Sequence, residues 1–166
     1  GAVTRTSFRT VNRTLARIGV SIAVPQTSPS PCAAWPSPRL KSAPGTWNRL
    51  EYRPLEGFVF AITPFNFTSI CGNLPTAPAL LGNVALWKPS GTALFSNYWV
   101  MKLLEEAGLP PGVVNFVPGS SKTVAPATLK HRDLAGIHFT GSTSVFNDIW
   151  RMVAGNLENY RNYPRI

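Results

Sequence analysis

The chain contains 166 residues, of which 44% are hydrophobic, and this fits a single globular domain. Its formal net charge is +9 but uneven: the first 50 residues hold seven basic side chains and no acid, whereas the other 116 hold nine basic and seven acidic groups. This balance predicts no basic face on the folded part, and so no nucleic-acid partner, and no apolar run approaches the roughly 18 to 20 residues that a membrane helix needs.

The chain begins with a basic, amphipathic stretch over residues 3–20. On a helical wheel the basic side chains lie on one side of the helix, at Arg5, Arg9, Arg13 and Arg17. The apolar side chains lie on the opposite side, at Phe8, Val11, Leu15 and Ile18. An Arg- and Ser/Thr-rich, acid-free composition is typical of a mitochondrial or chloroplast transit peptide. A disordered basic tail, or sequence foreign to the folded domain, is the alternative. A linker rich in Pro, Ser and Ala follows up to about Trp47. We therefore assign residues 1–46 to a disordered basic head with its linker, and residues 47–166 to the folded domain.

Short apolar runs then alternate with helical patterns. The predicted strands are Phe58–Ile62, Val84–Pro89, Val113–Val117 and Leu134–Phe139. The first predicted helix, Ser69–Leu81, is interrupted near Pro75 and Pro78, and the second, Thr92–Ala107, is capped by Thr92 and stopped by Gly108. A short third helix is predicted within 120–131. The fourth begins at 140–143, and its apolar face comprises Val145, Ile149, Val153 and Leu157. The order βαβαβαβα predicts an α/β fold, in which a parallel sheet has helices on its faces.

Asn66 follows the first predicted strand directly. Pro64 fixes φ and removes a backbone donor, so the chain turns there and delivers Asn66 between two aromatic rings just past the carboxyl end of the strand. Ligands bind at that edge of open α/β sheets. An uncharged amide with two donors suits a site where negative charge develops on an oxygen during a reaction. The alternative is an Asn that caps the following turn.

Two further polar segments follow strands. Lys88, held between Trp87 and Pro89, can reach the hydroxyls or phosphates of a nucleotide from the end of the second strand. The run from Thr140 to Thr143 opens a helix with backbone N–H groups and small hydroxyls, which suits a pyrophosphate. A solvated strand end and a plain N-cap are the alternatives, and the G-x-G-x-x-G fingerprint of dinucleotide-binding proteins is missing.

The cysteines and histidines show no metal-ligand spacing, so we expect neither a metal site nor a disulfide framework. Cys32 falls in the linker, whereas Cys71 follows the Asn66 loop, where a small buried residue is expected. We interpret His131 and His138 as structural or solvated. Free thiols in this context indicate a reducing compartment.

The sequence from about residue 47 to residue 166 closely resembles the aldehyde dehydrogenase superfamily. The resemblance is strongest in Pro64-Phe-Asn-Phe-Thr68, Leu86-Trp-Lys-Pro-Ser90 and His138-Phe-Thr-Gly-Ser-Thr143, with further matches at 51–58, 72–75, 77–83, 106–111 and 115–119. Within the superfamily, the Pro-Phe-Asn-Phe-Thr form and residues 160–166 resemble the branch that oxidises 1-pyrroline-5-carboxylate. The resemblance implies an incomplete Rossmann-like cofactor domain, full-length members that are homo-oligomers, and a mitochondrial matrix location.

The chemistry that the resemblance implies is the NAD-dependent oxidation of L-glutamate 5-semialdehyde to L-glutamate. A cysteine thiolate attacks the aldehyde, hydride passes to NAD, and a glutamate activates the water that hydrolyses the thioester. By resemblance, Asn66 holds the oxyanion and Thr63 lines the nicotinamide side. Lys88 and Ser90 hold the adenosine ribose, and the turn beside the pyrophosphate comprises Gly141, Ser142, Thr143, Ser144 and Val145.

Two departures from the family pattern affect these expectations. Gly91 stands where the family usually has a carboxylate, so weaker NAD binding or acceptance of NADP is expected. The family's glutamate base and cysteine nucleophile correspond to positions beyond Ile166, and neither Cys32 nor Cys71 matches the nucleophile. We therefore expect a fragment that is inactive alone, with exposed sheet edges that favour association. The alternative is a non-catalytic chain that binds a nucleotide or pairs with another subunit.

Overall fold

The computed structural model of the chain describes residues 42–48 and 54–166. Most of the predicted head and linker, including Cys32, therefore lies outside the described residues. The described strands are β1 (Phe58–Ile62), β2 (Val84–Lys88), β3 (Val114–Phe116) and β4 (Leu134–Phe139). The α-helices are α1 (Thr68–Leu80), α2 (Leu94–Glu106), α3 (Ser121–Leu129) and α4 (Thr143–Ala154), and 3₁₀ turns span Gly91–Ala93 and Leu157–Asn159.

The four strands form a parallel sheet in the order β3-β2-β1-β4. Strands β1, β2 and β4 are mostly apolar and buried, as expected of parallel strands covered on both faces. The predicted α/β class and parallel sheet are confirmed. Strands β1 and β4 begin and end where predicted, β2 ends one residue early, and β3 is one residue shorter at each end.

Side chains of the sheet alternate between two apolar cores, one on each face. Phe60 of β1 and Leu86 of β2 belong to the core that α3 and α4 complete. Trp87, the next residue along β2, points to the opposite core, which includes Cys71 of α1 and Met101 of α2. Helices therefore cover both faces of the described sheet.

Helix α1 is continuous, so the predicted interruption near Pro75 and Pro78 is wrong. Each proline removes one N–H from the helix, and the carbonyl that Pro78 deprives of its donor has a partner outside the helix. The carbonyl of Leu74, four residues before Pro78, lies 2.9 Å from Nδ1 of His138 in β4. The carbonyl of Pro78 itself accepts from both the backbone and the side-chain N–H groups of Asn83, each at 3.0 Å, at the end of the helix. Bonds from outside the helix thus stabilise it.

The start of α2 and the end of α4 also differ from the prediction. Thr92 lies inside the 3₁₀ turn, so it does not cap α2. Helix α4 ends before Leu157, which lies in the next 3₁₀ turn and leaves the predicted apolar face. On that face, Ile149 and Val153 are buried whereas Val145, in the first turn, is exposed. The apolar face of α4 is therefore shorter than predicted.

The last described residues return along β4. Arg161 Nη2 lies 2.9 Å from Oδ1 of Asp133, whose side chain is fully buried just before β4. The hydroxyl of Tyr160 donates to the carbonyl of Leu129, and burial raises the pKa of that hydroxyl. The carbonyl of Arg165 accepts a backbone N–H from the outer edge of β4 at 2.7 Å. These bonds fix residues 160–165 against the strand that leads to the Thr140 turn.

Candidate functional site

The three predicted site segments meet at one edge of the sheet. Ile62 at the end of β1 is level with Lys88 of β2 and with Phe139 of β4. Two hydrogen bonds continue this alignment past the strands: Thr63 N donates to Lys88 O at 3.3 Å, and Thr140 N donates to Ile62 O at 3.2 Å. Because β2 and β4 lie on opposite sides of β1, the direction of winding reverses between β1 and β4, the position at which open α/β sheets bind ligands.

Asn66 lies in an exposed bend between β1 and α1. Phe67 is the N-cap of α1 and no side chain caps that end, so the alternative in which Asn66 caps the following turn is wrong. The buried Cys71 stabilises the bend, because its thiol donates to the carbonyl of Pro64 at 3.1 Å. No hydrogen bond joins the Asn66 amide to another described residue, so its two donors are available to an oxygen of a bound molecule.

Thr63 and Lys88 lie deeper at the same edge. Thr63 is buried, and its hydroxyl accepts the indole N–H of Trp87 at 3.0 Å. Lys88 is only 4% exposed, and its ammonium donates to the carbonyl of Pro89 at 3.1 Å. Burial lowers the pKa of this ammonium, and no described carboxylate forms an ion pair with it. Lys88 therefore retains two unused donors beside the half-buried Ser90.

The turn after β4 presents backbone and hydroxyl groups at the start of α4. Ser142 is the N-cap, and its Oγ accepts the N–H of Val145 at 3.4 Å. A Cβ at Gly141 would lie 2.5 Å from the ring of Phe139, so a side chain at this position would have to displace that ring. Residues 143–145 are exposed, and a depression of about 330 Å³ beside them is lined by Phe139, Thr140, Gly141, Thr143 and Phe146. Exposed N–H groups at the positive end of a helix favour an anion.

Three residues that hold this edge together were not predicted to do so. The prediction that Cys71 is a small buried residue is confirmed, but its bond to Pro64 has no local sequence signal. The indole bond of Trp87 likewise depends on the register of β1 and β2. His138 does have a signal, because Pro78 leaves a carbonyl four residues earlier without its helical donor.

Other parts of the described structure point to no second site of this kind. None of the helices within 42–48 and 54–166 is long and apolar enough to cross a membrane. In the same residues, no three His, Cys, Asp or Glu side chains converge as metal ligands. A larger depression of about 420 Å³ lies at the amino ends of the strands and is lined by Pro54, Leu55, Glu56, Ala135, Asn162, Tyr163 and Arg165. It includes none of the predicted site residues.

Comparison with known proteins identifies a family. The sequence profile of the "Aldehyde dehydrogenase family" matches residues 10–161. The match begins inside the predicted head, so the division of the chain at residue 46 stays a prediction.

Individual relatives match about three quarters of the chain. The delta-1-pyrroline-5-carboxylate dehydrogenase of Agaricus bisporus is 56% identical over 126 residues, which are 76% of this chain and 23% of that protein. The mitochondrial delta-1-pyrroline-5-carboxylate dehydrogenase of Mus musculus is 52% identical over 125 residues, 75% of this chain and 22% of that protein. The crystal structure of the Mycobacterium tuberculosis enzyme bound with NAD superposes with a TM-score of 0.71 at 56% identity, over 78% of this chain and 24% of that one. The chain thus spans about a quarter of the length of these proteins.

Proposed function

Because this chain belongs to the aldehyde dehydrogenase family, we propose that it forms part of the NAD-binding domain of an enzyme that oxidises L-glutamate 5-semialdehyde, the open form of 1-pyrroline-5-carboxylate, to L-glutamate. The observation that carries the proposal is the alignment of the Asn66 bend, the Lys88 strand end and the Thr140 turn around one switch point. The names of the relatives support the substrate, and the NAD-bound neighbour supports the cofactor.

The described residues fit a dinucleotide. The exposed first turn of α4 offers N–H groups and the Thr143 and Ser144 hydroxyls to a pyrophosphate, and Val145 offers apolar surface beside them. The two unused donors of Lys88 and the hydroxyl of Ser90 suit ribose hydroxyls. Thr63 lies at the bottom of the site, just after β1 ends, and the indole N–H of Trp87 fixes its side chain by a hydrogen bond. When bound, NAD supplies the hydride acceptor.

Asn66 has the role of oxyanion donor in this proposal. Its side-chain amide stands free at the carboxyl end of β1, where it can bind the aldehyde oxygen as negative charge develops there. Loss of one such donor costs roughly 10² to 10³ in turnover. Asn66→Ala in an enzyme that contains this domain should therefore lower kcat far more than it changes NAD affinity. Equal kcat for the two enzymes would refute the assigned role.

The nucleophile is not supplied by the described cysteine. Cys71 is fully buried, and its thiol donates to Pro64 instead of facing the switch point. We therefore expect the 166-residue chain by itself to bind NAD but to show no reduction of NAD when glutamate semialdehyde is added. Turnover by the purified chain would contradict this expectation. Binding without turnover is also what the alternative, a non-catalytic nucleotide-binding chain, predicts, and only turnover after addition of the remaining enzyme segments distinguishes the two.

Calorimetric titration of NAD into the 166-residue chain tests the cofactor site. Lys88→Met keeps the buried stem and removes the ammonium, so it should weaken binding about tenfold or more, as expected for loss of charge-assisted hydrogen bonds. Lys102→Met is the matched control, because that ammonium pairs with Glu105 on the exposed side of α2. Identical affinities for all three proteins, or no saturable binding by a folded chain, would refute the proposal.

We also propose a mitochondrial matrix location, which the mitochondrial names of several relatives support. The basic, acid-free composition of residues 3–20 is consistent with a targeting segment. Fusion of residues 1–46 to a fluorescent protein should direct it to the matrix. Replacement of the four arginines at positions 5, 9, 13 and 17 by Gln should abolish the import, and import that survives this change would refute the proposal.

A further inference from the structure

The carbonyl of Leu74 is a buried acceptor that helix α1 cannot satisfy by itself. In an α-helix the N–H of residue i+4 donates to the carbonyl of residue i, and the residue four positions after Leu74 is Pro78, which has no N–H. Leu74 is only 3% exposed, so water is a poor substitute. Buried backbone acceptors in native structures are almost always paired, and a donor from outside the helix is therefore expected.

His138 is that donor. Its Nδ1 lies 2.9 Å from Leu74 O, across the interface between α1 and the sheet and 64 residues away along the chain. A carbonyl oxygen can only accept, so the bond places the proton of the neutral imidazole on Nδ1. The ring thereby takes the place of the N–H that Pro78 lacks.

The position of His138 connects two parts of the proposed site. In β4 it pairs in register with Ala61 of β1 and precedes the Thr140 turn by two residues. At the other side of the bond, α1 starts directly after the Asn66 bend, and Cys71 of α1 donates to the carbonyl of Pro64, two residues before Asn66. A movement of α1 relative to β4 would therefore displace Asn66 relative to the turn that faces the cofactor.

We infer that His138 is a positioning residue: its Nδ1–H replaces the helical donor missing at Pro78 and so fixes α1, with the Asn66 bend, on the strand that carries the Thr140 turn. The functional meaning of this bond rests on the proposed function, because only there do Asn66 and the turn act on one substrate–cofactor pair. The bond itself does not depend on that proposal.

The first test is the tautomer of His138, measured by ¹⁵N NMR of the ring nitrogens of the 166-residue chain above the titration range of the imidazole. The inference requires the Nδ1–H form, and a ring protonated on Nε2 would overturn it. This measurement needs no cofactor. If the chain failed to bind NAD, that result would refute the proposed function but would leave the tautomer result for His138 unaffected.

Amide exchange then tests the positioning. His138→Leu removes the donor, whereas His138→Asn places an amide N–H where Nδ1 was. We expect the amide of Cys71 to exchange about tenfold faster in His138→Leu, consistent with loss of one hydrogen bond to a buried carbonyl, and at the wild-type rate in His138→Asn. The amide of Phe60 in β1 should be unaffected in both. Equal acceleration at Cys71 and Phe60 would show general destabilisation and overturn the inference.

Pro78→Ala provides an internal control. Alanine restores the helical N–H, which can donate to Leu74 O without the imidazole, so His138→Leu should change the exchange of Cys71 less than twofold in this background. If His138→Leu alone does not fold, the double variant Pro78→Ala/His138→Leu should fold. A double variant that is as defective as His138→Leu, in folding or in exchange, would overturn the inference.

Discussion

Arg161→Met should destabilise the chain more than any surface substitution, because Arg161 is the partner of a buried charge. The side chain of Asp133 is fully inaccessible, and neither of its oxygens has a well-aligned hydrogen bond within the described residues, so the ion pair of 2.9 Å to Arg161 is its main compensation. Two unit charges about 4 Å apart attract by roughly 4 kcal/mol at an effective dielectric constant of about 20. The Arg161 side chain is 28% exposed, and solvent screening reduces this value to about 3 kcal/mol.

Urea unfolding of Arg161→Met, followed by near-UV circular dichroism, measures this loss directly. Asp133→Asn is the matched variant: it removes the buried charge and leaves a cation that water can reach, so it should cost only about 1–2 kcal/mol. The reasoning therefore requires Arg161→Met to lower the free energy of unfolding more than Asp133→Asn does. A cost below about 1 kcal/mol for Arg161→Met, or a larger cost for Asp133→Asn, would show that Arg161 does not stabilise the buried carboxylate.

Three further predictions concern helix α2 and the carboxyl edge of the sheet. Asn97 is fully buried in α2 with neither amide atom hydrogen-bonded to a described residue, so Asn97→Leu should raise the free energy of unfolding by about 1–2 kcal/mol in urea titrations, whereas Asn97→Asp should lower it. Gly91 has open space where a Cβ would stand, so Gly91→Asp should fold normally and weaken binding of NADP relative to NAD about tenfold in calorimetry, by repelling the 2′-phosphate. Burial lowers the pKa of Lys88 below 10.5, so the unfolded chain binds more protons than the folded chain between the lowered pKa and 10.5. Lys88→Met should therefore be more stable than the wild type at pH 7 in urea titrations, and this advantage should shrink as the pH rises and vanish above about 10.5.

The strands could be predicted because their ends depend on local steric rules. Gly57 and Pro64 bracket β1, and Pro89 ends β2, so the structure departs from the predicted ends of these strands by at most one residue. The positions of the site segments then follow from the parallel topology alone, since the carboxyl ends of parallel strands meet at one edge. Their location at one edge of the sheet could therefore be predicted without knowledge of side-chain contacts.

What could not be predicted depends on residues far apart in sequence. Local rules interrupt α1 at its prolines, yet the helix is continuous, and distant His138 donates to the carbonyl that Pro78 deprives of its helical donor. Thr63 was expected to line the cofactor side, but whether its hydroxyl faces a ligand or Trp87 depends on the register between β1 and β2. The burial of Asn97 in α2 is likewise a matter of tertiary packing, because an Asn in a helical pattern ordinarily indicates the solvent face.

The alignment of the site is set at the opposite end of the sheet. Between β1 and β4 the register shifts near the start of both strands, where Phe58 pairs with Leu134 but Val59 pairs with Gly136. The extra residue on β4 is accommodated beside Gly57, whose φ of 132° suits glycine and whose added Cβ would lie 2.1 Å from the carbonyl oxygen of Asp133. After this shift the two strands stay in constant register up to their carboxyl ends. There, Thr140 N donates a hydrogen bond to the carbonyl of Ile62, the last residue of β1, and joins the two strands at the switch point. A side chain at residue 57 would therefore disturb the Thr140 turn from the far end of the sheet, although it touches no residue of the candidate site.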